Sequence, residues 1–362
     1  MKKNNKLFFL VLSLVLGFSF GAIAMLAAGY DPFQAYSVIF QGIFGRPKYI
    51  SWTIIRATPV IFTGLGVAFA FRTGTFNIGA EGQYIIGSLV AVAVGYFLHL
   101  PLVLHIPIIL LCVVIAGALW GGLAGFIKAR FGVNEVITTI MLNWIAFYLN
   151  NFIIYLPGFK KPDSEASFSI QSSASIKLFT GLRKTAENPA IKDFFSAPVN
   201  MGFVIAIVTA IILWYILNKT TLGYSLKAVG FNPDAAEYGG INVKKNLVIS
   251  MAISGAVCAL GGATQVLGVT GNVATLSAME GNGFDGIAVA LLAFNHPIWA
   301  LLSGLFFGGL KYGGAQIQRV MGAPYEMIQI VIGTIILFSS MPLFIKILSK
   351  KWNTKKGGVN NV

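Results

Sequence analysis

Five polar side chains stand where an otherwise apolar chain has little use for them. Asn77, Glu81 and Gln83 open a long apolar run within Phe71-Arg-Thr-Gly-Thr-Phe-Asn-Ile-Gly-Ala-Glu-Gly-Gln. Asn143 lies inside a second run, and Asp285 opens a third in Gly281-Asn-Gly-Phe-Asp-Gly. These groups make hydrogen bonds, and no hydrolase constellation accompanies them. A carboxylate at bilayer depth costs about 2.5–3.5 kcal/mol on insertion scales, so polar groups there face a cavity or another helix. Glu81 has a second reading, as a headgroup-level carboxylate that caps a helix start.

Other chemistry is excluded by pattern. There is no G-x-x-x-x-G-K-[ST] loop for nucleotide phosphates and no H-E-x-x-H. His99, His105 and His296 are scattered near the ends of apolar runs, and Cys112 and Cys258 sit far apart inside such runs. Metal-ligand spacing and a disulfide framework are both missing. The expectation is no metal, no cofactor and no catalysis by this chain.

The elements that carry the five residues follow from hydropathy. Of 362 residues, 56% are hydrophobic and 10% charged, against about 25% charged in soluble domains. The apolar residues come in long runs, the mark of transmembrane helices. Glycine, 41 residues, suits close helix packing and broken helices. The runs predict a single all-α transmembrane domain, 1–362, with ten spans near 7–29, 51–71, 78–98, 106–127, 135–156, 199–217, 247–269, 284–295, 298–315 and 326–347. The eighth is short, as a half-helix would be. The first is too long for a signal-peptide core and is read as a retained helix.

A net charge of +14 would point to nucleic acid in a soluble protein. Here it reads as topology, because Lys and Arg mark cytoplasmic loops. With the N-terminus inside, fifteen basic residues fall on the cytoplasmic side, from Lys2, Lys3 and Lys6 to the tail's Lys346, Lys350, Lys351, Lys355 and Lys356. The short outer loops hold only Arg46, Lys48 and Arg319. Both termini are therefore expected inside, with no nucleic-acid partner. A long segment, 157–198, falls outside. The cytoplasmic loop 218–246 contains Asn232-Pro-Asp-Ala-Ala-Glu-Tyr-Gly-Gly, which reads as a short helix capped by Asn232, begun by Pro233 and ended by Gly239 and Gly240. Spans two to five and seven to ten form a weak repeat in which the Asn77–Gln83 and Gly281–Gly286 segments correspond and run in opposite directions. Interrupted segments at matching positions of an inverted repeat point to a transport pathway.

Three stretches carry a resemblance: Phe76-Asn-Ile-Gly-Ala-Glu-Gly-Gln, Asn134-Glu-Val-Ile-Thr-Thr-Ile-Met-Leu-Asn-Trp-Ile-Ala, and Lys227-Ala-Val-Gly-Phe-Asn-Pro-Asp-Ala-Ala-Glu-Tyr-Gly-Gly-Ile. From about Trp52 to Lys346 the chain resembles the permease family of ribose, branched-chain amino acid and nucleoside ABC importers. The first two stretches look most like the nucleoside (guanosine-type) branch. Ribose-type members read Ile-Asp-Leu-Ser-Val-Gly at the first stretch, and this chain does not. Segment 157–198 departs from the typical member.

The resemblance implies a type II ABC importer permease of the bacterial plasma membrane, working by alternating access. A second permease subunit, the same or a paralogue, would pair with it. An ATP-binding subunit would dock on the coupling loop through Gly230, Asn232, Ala235, Ala236, Tyr238, Gly239 and Ile241. An extracytoplasmic substrate-binding lipoprotein would deliver the solute. A nucleoside is neutral, so Asn77, Glu81, Gln83, Asn143 and Asp285 could offer it transient hydrogen bonds along the path. The competing reading is that these five bond between helices and hold the bundle together. Alternatives for the whole chain are a permease for a simple sugar or other small solute, or an ion-coupled secondary transporter.

Overall fold

The computed structural model describes residues 3–178, 187–324 and 326–340. The Lys-rich tail, the end of the tenth expected span and part of the outer segment lie outside the described residues.

Fourteen α-helices are formed among the described residues: α1 Lys3–Ala27, α2 Pro32–Phe44, α3 Pro47–Arg72, α4 Ala80–Phe97, α5 Leu102–Phe131, α6 Glu135–Ile154, α7 Pro189–Phe194, α8 Gly202–Lys219, α9 Thr221–Phe231, α10 Pro233–Tyr238, α11 Val243–Gln265, α12 Asn282–Leu292, α13 Pro297–Met321 and α14 Glu326–Ser340. Each of the ten expected spans contains a helix. Six helices are long and apolar enough to cross a bilayer by themselves: α3, α4, α5, α6, α8, and α11 with the π-helical turn that extends it to Thr270. Within residues 30–50, which hydropathy assigns to a loop, Pro32–Phe44 instead form α2, bent 120° from α1. Its apolar residues alternate with Gln and Ser, so no long run announces it.

Two compact units divide the chain: Met1–Gly42 with Leu310–Val362, and Ile43–Gly309. In the first, α1 packs on α14 through small residues. Cβ atoms built on Gly17 and Gly21 would overlap Ile335 and Val331. The Thr334 hydroxyl donates to the Gly17 carbonyl at 3.1 Å.

The second unit is built around α3 and α11. Lipid gives apolar helices no hydrophobic reason to associate, so membrane helices meet where small side chains let backbones approach. On α5, Gly117, Gly121 and Gly125 recur every four residues and face α11. A Cβ on Gly117 would stand 2.5 Å from the Gly255 carbonyl, one on Gly121 2.3 Å from the Met251 carbonyl, and one on Gly125 2.9 Å from the Val248 Cα. The order shows that α5 and α11 run antiparallel. Segment 157–178 straps together the C-terminal ends of α4 and of the π-helical turn that follows α11. Gln171 N–H donates to the Gly95 carbonyl, Ile176 N–H to Leu267, and Ile170 N–H to Gly271. His105, buried, shares a 2.9 Å hydrogen bond with the Ser173 hydroxyl, which makes it a fastener for this strap.

The eighth segment is short, as expected. α12 has eleven residues and spans about 16 Å, half of the roughly 30 Å hydrocarbon core. It runs beside α3 in the same direction. Gly286 abuts Thr63 and Val289 abuts Gly64, while the Asn295 carbonyl accepts from Arg72 Nε at 2.9 Å. The residues before it, from Asn272 to Gly281, are non-helical chain.

Gly255→Leu should force α5 from α11 and cost about 1–3 kcal/mol or more, by overpacking. A Cβ at Gly122 meets nothing closer than 3.5 Å. Thermal unfolding of detergent-purified variants should therefore show a clear drop for Gly255→Leu and none for Gly122→Ala.

Candidate functional site

After α3 the chain does not simply turn at the membrane surface. Residues Thr73–Gly79 fold back into the bundle and are held by side chains of α11. Thr73 and Thr75 bond the Ser250 hydroxyl. Asn77 Nδ2 donates to Ser254 Oγ at 2.7 Å and to Gln83 Oε1 at 2.9 Å. Ser254 in turn donates to the Gly66 carbonyl at 2.7 Å. Ser254 lies eleven residues into α11, about 16 Å along it, so α4 starts deep in the membrane.

A helix that starts there exposes amides that water cannot reach. Side chains replace the water. Asn143 Oδ1 on α6 accepts the Gly82 N–H at 2.8 Å, and its Nδ2 donates to the Ile78 carbonyl at 3.0 Å. Asn77 Oδ1 accepts the Gly79 N–H at 2.9 Å. Asn77, Gln83 and Asn143 are each at most 1% exposed.

Glu81 does the same for a different helix. Its Oε1 accepts the Gly281 N–H at 2.8 Å, and its Oε2 accepts the Gly283 N–H. The carboxyl group, 0% exposed, thus caps the N-terminus of α12. Two amides and the positive end of the helix dipole meet it where the dielectric is low. The chain must pass very close: a Cβ on Gly283 would stand 2.1 Å from the Glu81 nitrogen, and Gly281 has φ +80°. The two Gly-rich segments that correspond in the sequence repeat therefore meet, each opening a helix that begins inside the membrane. Glu81 does cap a helix start, but that of α12 rather than that of its own helix.

Asp285 sits apart from this arrangement, half-buried on the first turn of α12. Asn150 and Asn151 of α6 were not singled out by sequence reasoning, although the rule that marked Asn143 applies to them. Asn151 receives the Leu276 N–H at 2.8 Å and donates to the Leu276 carbonyl at 2.9 Å. Asn150 donates to the Ala274 carbonyl at 3.3 Å. Glu280, also missed, accepts from Tyr84 OH at 3.0 Å and from Asn282 Nδ2 at 2.9 Å.

Segment 218–246 forms the expected capped helix. Asn232 Oδ1 accepts the Ala235 N–H at 3.1 Å, Pro233 is the first helical residue, and Gly239 and Gly240 end α10 with Gly240 at φ +78°. Ala235 and Gly239 are exposed, Ile241 is half-buried, and Tyr238 is 97% exposed. Phe231, at 87%, joins this apolar face and was missed by sequence reasoning. Ala236 is buried, which corrects its expected place on the docking surface: the third face of a short helix must seat it on its own chain. Gly230 is pressed onto the α3–α4 turn, where a Cβ would stand 2.5 Å from the Arg72 carbonyl and 3.0 Å from the Gly74 nitrogen. The coupling segment therefore abuts the same turn that carries Asn77 inward.

Among the described residues no group of three or more His, Cys, Asp or Glu is placed to hold a metal ion. Both cysteines are free thiols.

Glu81→Ala would leave the Gly281 and Gly283 amides buried without acceptors, at about 1–3 kcal/mol each. Purified Glu81→Ala protein should unfold at lower temperature, and solute uptake should fall with it. Unchanged stability with lost uptake would instead mark Glu81 as a solute-contacting group.

Comparison with known proteins agrees with this architecture. Residues 49–340 match the family described as branched-chain amino acid transport system / permease component. The chain is 40% identical to a guanosine ABC transporter permease protein of Bacillus subtilis over 99% of its own length and 100% of the relative's. It is 35% identical to a nucleoside ABC transporter permease protein of Lactococcus lactis, covering 96% and 94% of the two chains. It is 31% identical to a glucose ABC transporter permease protein of Haloferax volcanii, covering 93% and 87%. No solved structure matches it significantly. With buried polar groups that cap its broken helices and an apolar face on α9 and α10, the chain belongs to the branched-chain amino acid transport system permease family and is a polytopic transport component of the membrane.

Proposed function

We propose that this protein is the membrane-spanning subunit of an ATP-driven importer of nucleosides. One observation carries the transport reading: a short helix preceded by non-helical chain, the junction held by Glu81. Non-helical backbone at membrane depth is tolerated only when buried in protein or lining a water-filled cavity. The substrate class rests on the relatives named for guanosine and for nucleosides, at 40% and 35% identity. The relative named for glucose, at 31%, supports a simple sugar as the second reading.

In this proposal the whole chain is one transmembrane domain in a bacterial plasma membrane, with both termini cytoplasmic. Lys219, Lys227, Lys244 and Lys245 flank the loop that would face the ATP-binding subunit. That subunit docks on Phe231, Ala235, Tyr238 and Gly239, because exposed aromatic side chains on a soluble face are typical anchors of protein contacts. A push there reaches the α3–α4 turn through Gly230. A second permease, alike or paralogous, completes the pathway, and an extracytoplasmic substrate-binding lipoprotein feeds it. Asp285 borders the path. Asn77, Glu81, Gln83 and Asn143 form its wall, where their bonds between helices keep the two broken helices in register.

Two measurements test this. Cells that express the complete importer should take up labelled guanosine in competition with excess unlabelled nucleosides but not with glucose. Competition by glucose alone would establish the second reading. Gly239→Trp has room, since a Cβ there meets nothing closer than 3.4 Å. It should leave membrane insertion intact and reduce uptake about tenfold or more, as loss of an interface anchor does. Full uptake in that variant would remove α10 from the docking site.

A further inference from the structure

The chain before α12 is non-helical, and one edge of it is tied to α6 through Asn150 and Asn151. The other edge pairs with residues 165–167 as far as Thr275, through the Ser167 N–H to the Val273 carbonyl and the Thr275 N–H to the Glu165 carbonyl. Beyond it, Ser277, Ala278, Glu280 and Phe284 are exposed. Backbone of this kind cannot face lipid, because its peptide groups would have no partner.

A second observation marks the same place. Arg56 is the exposed residue in an otherwise covered stretch of α3, its guanidinium 5.8 Å from the Trp52 ring. It lies seven residues, close to two turns, before Thr63 on one face of the helix. The Thr63 hydroxyl donates to the Asn282 carbonyl at 2.8 Å. Arg56 therefore stands about 10 Å outward of the start of α12. A guanidinium within an apolar span faces water or a partner group rather than lipid.

We propose that the exposed Glu280 is a binding residue for the vicinal hydroxyls of a ribose ring, an inference that rests on the nucleoside reading above. Tyr84 OH and Asn282 Nδ2 both donate to Glu280 Oε2 and hold the side chain in place. Oε1 is left to accept from a solute. Two adjacent hydroxyls can donate to a carboxylate together, and a site that bonds a substrate hydroxyl disfavours the analogue that lacks it. The neighbouring Phe284, 41% exposed, offers an apolar surface beside the acceptor. Attraction at an open carboxylate is weak enough to release what it binds, as a passage requires.

The test uses the complete importer in proteoliposomes with ATP inside, and binding protein saturated with either labelled guanosine or labelled 2′-deoxyguanosine. Saturation makes the rates report steps after delivery. Glu280→Gln should slow guanosine import by about tenfold while changing 2′-deoxyguanosine import by less than about twofold, because only the ribonucleoside loses a hydroxyl contact. Tyr84→Phe, which frees the carboxylate without removing it, should give a smaller loss with the same preference. An equal fall for both nucleosides, or loss of subunit assembly, would make Glu280 a structural residue and overturn the proposal, as would no change for either. Import of glucose but of neither nucleoside by the wild-type importer would overturn the nucleoside reading itself. Guanosine import with an indifferent Glu280→Gln variant would overturn this inference alone.

Discussion

A carboxyl group in the middle of a bilayer is tolerable only if donors surround it, and much of the larger unit is arranged to meet that demand at Glu81. Its two oxygens take the Gly281 and Gly283 amides, which are themselves orphans of a helix that begins where no water reaches. Each side satisfies the other's desolvation cost. Because the amides belong to the start of α12, the bond fixes where that helix begins. Because Glu81 lies in the first turn of α4, it also sets the level of α4 against α12. Gly283 is then obligatory, since any side chain there would collide with the Glu81 backbone.

The same logic repeats in a smaller way around it. Asn143 caps α4 from α6, Asn77 and Ser254 tie the re-entering turn to α11, and Asn151 stands in for a neighbouring strand beside Leu276. Each is a side-chain amide or hydroxyl that replaces a backbone partner lost when a helix breaks. Breaking two helices at one level gives the bundle polar backbone at depth without exposing it to lipid.

The segment of α9 and α10 is close in structure to this centre. Gly230 touches the turn after Arg72, Thr73 and Thr75 in that turn bond Ser250, and Asn77 four residues later bonds Ser254. Arg72 also holds the cytoplasmic end of α12 through the Asn295 carbonyl. A displacement of α9 and α10 therefore bears on both ends of the α12 half-helix through backbone contacts that glycine alone permits. Rigid elements joined this way move together, which is the physical basis for reading the coupling segment as a lever.

Composition and hydropathy determined that this chain spans a membrane as helices, because no other backbone arrangement survives long apolar runs in lipid apart from a closed barrel. The capped coupling helix was equally legible, since Asn232, Pro233 and the Gly239–Gly240 pair act on their own neighbours. Polar residues in apolar runs marked Asn77, Glu81, Gln83 and Asn143 as unusual, but not what they bond. Hydropathy passed over α2, whose apolar residues are interleaved with polar ones, and it could not turn Ala236 inward. Only the tertiary structure decided that Glu81 caps a helix two hundred residues away, that Asn151 supports non-helical chain, and that Glu280 is left exposed. Local pattern records what a residue offers its own turn of helix; which distant amide takes up the offer depends on how the helices pack, and packing between apolar helices is set by glycines whose partners no linear pattern names.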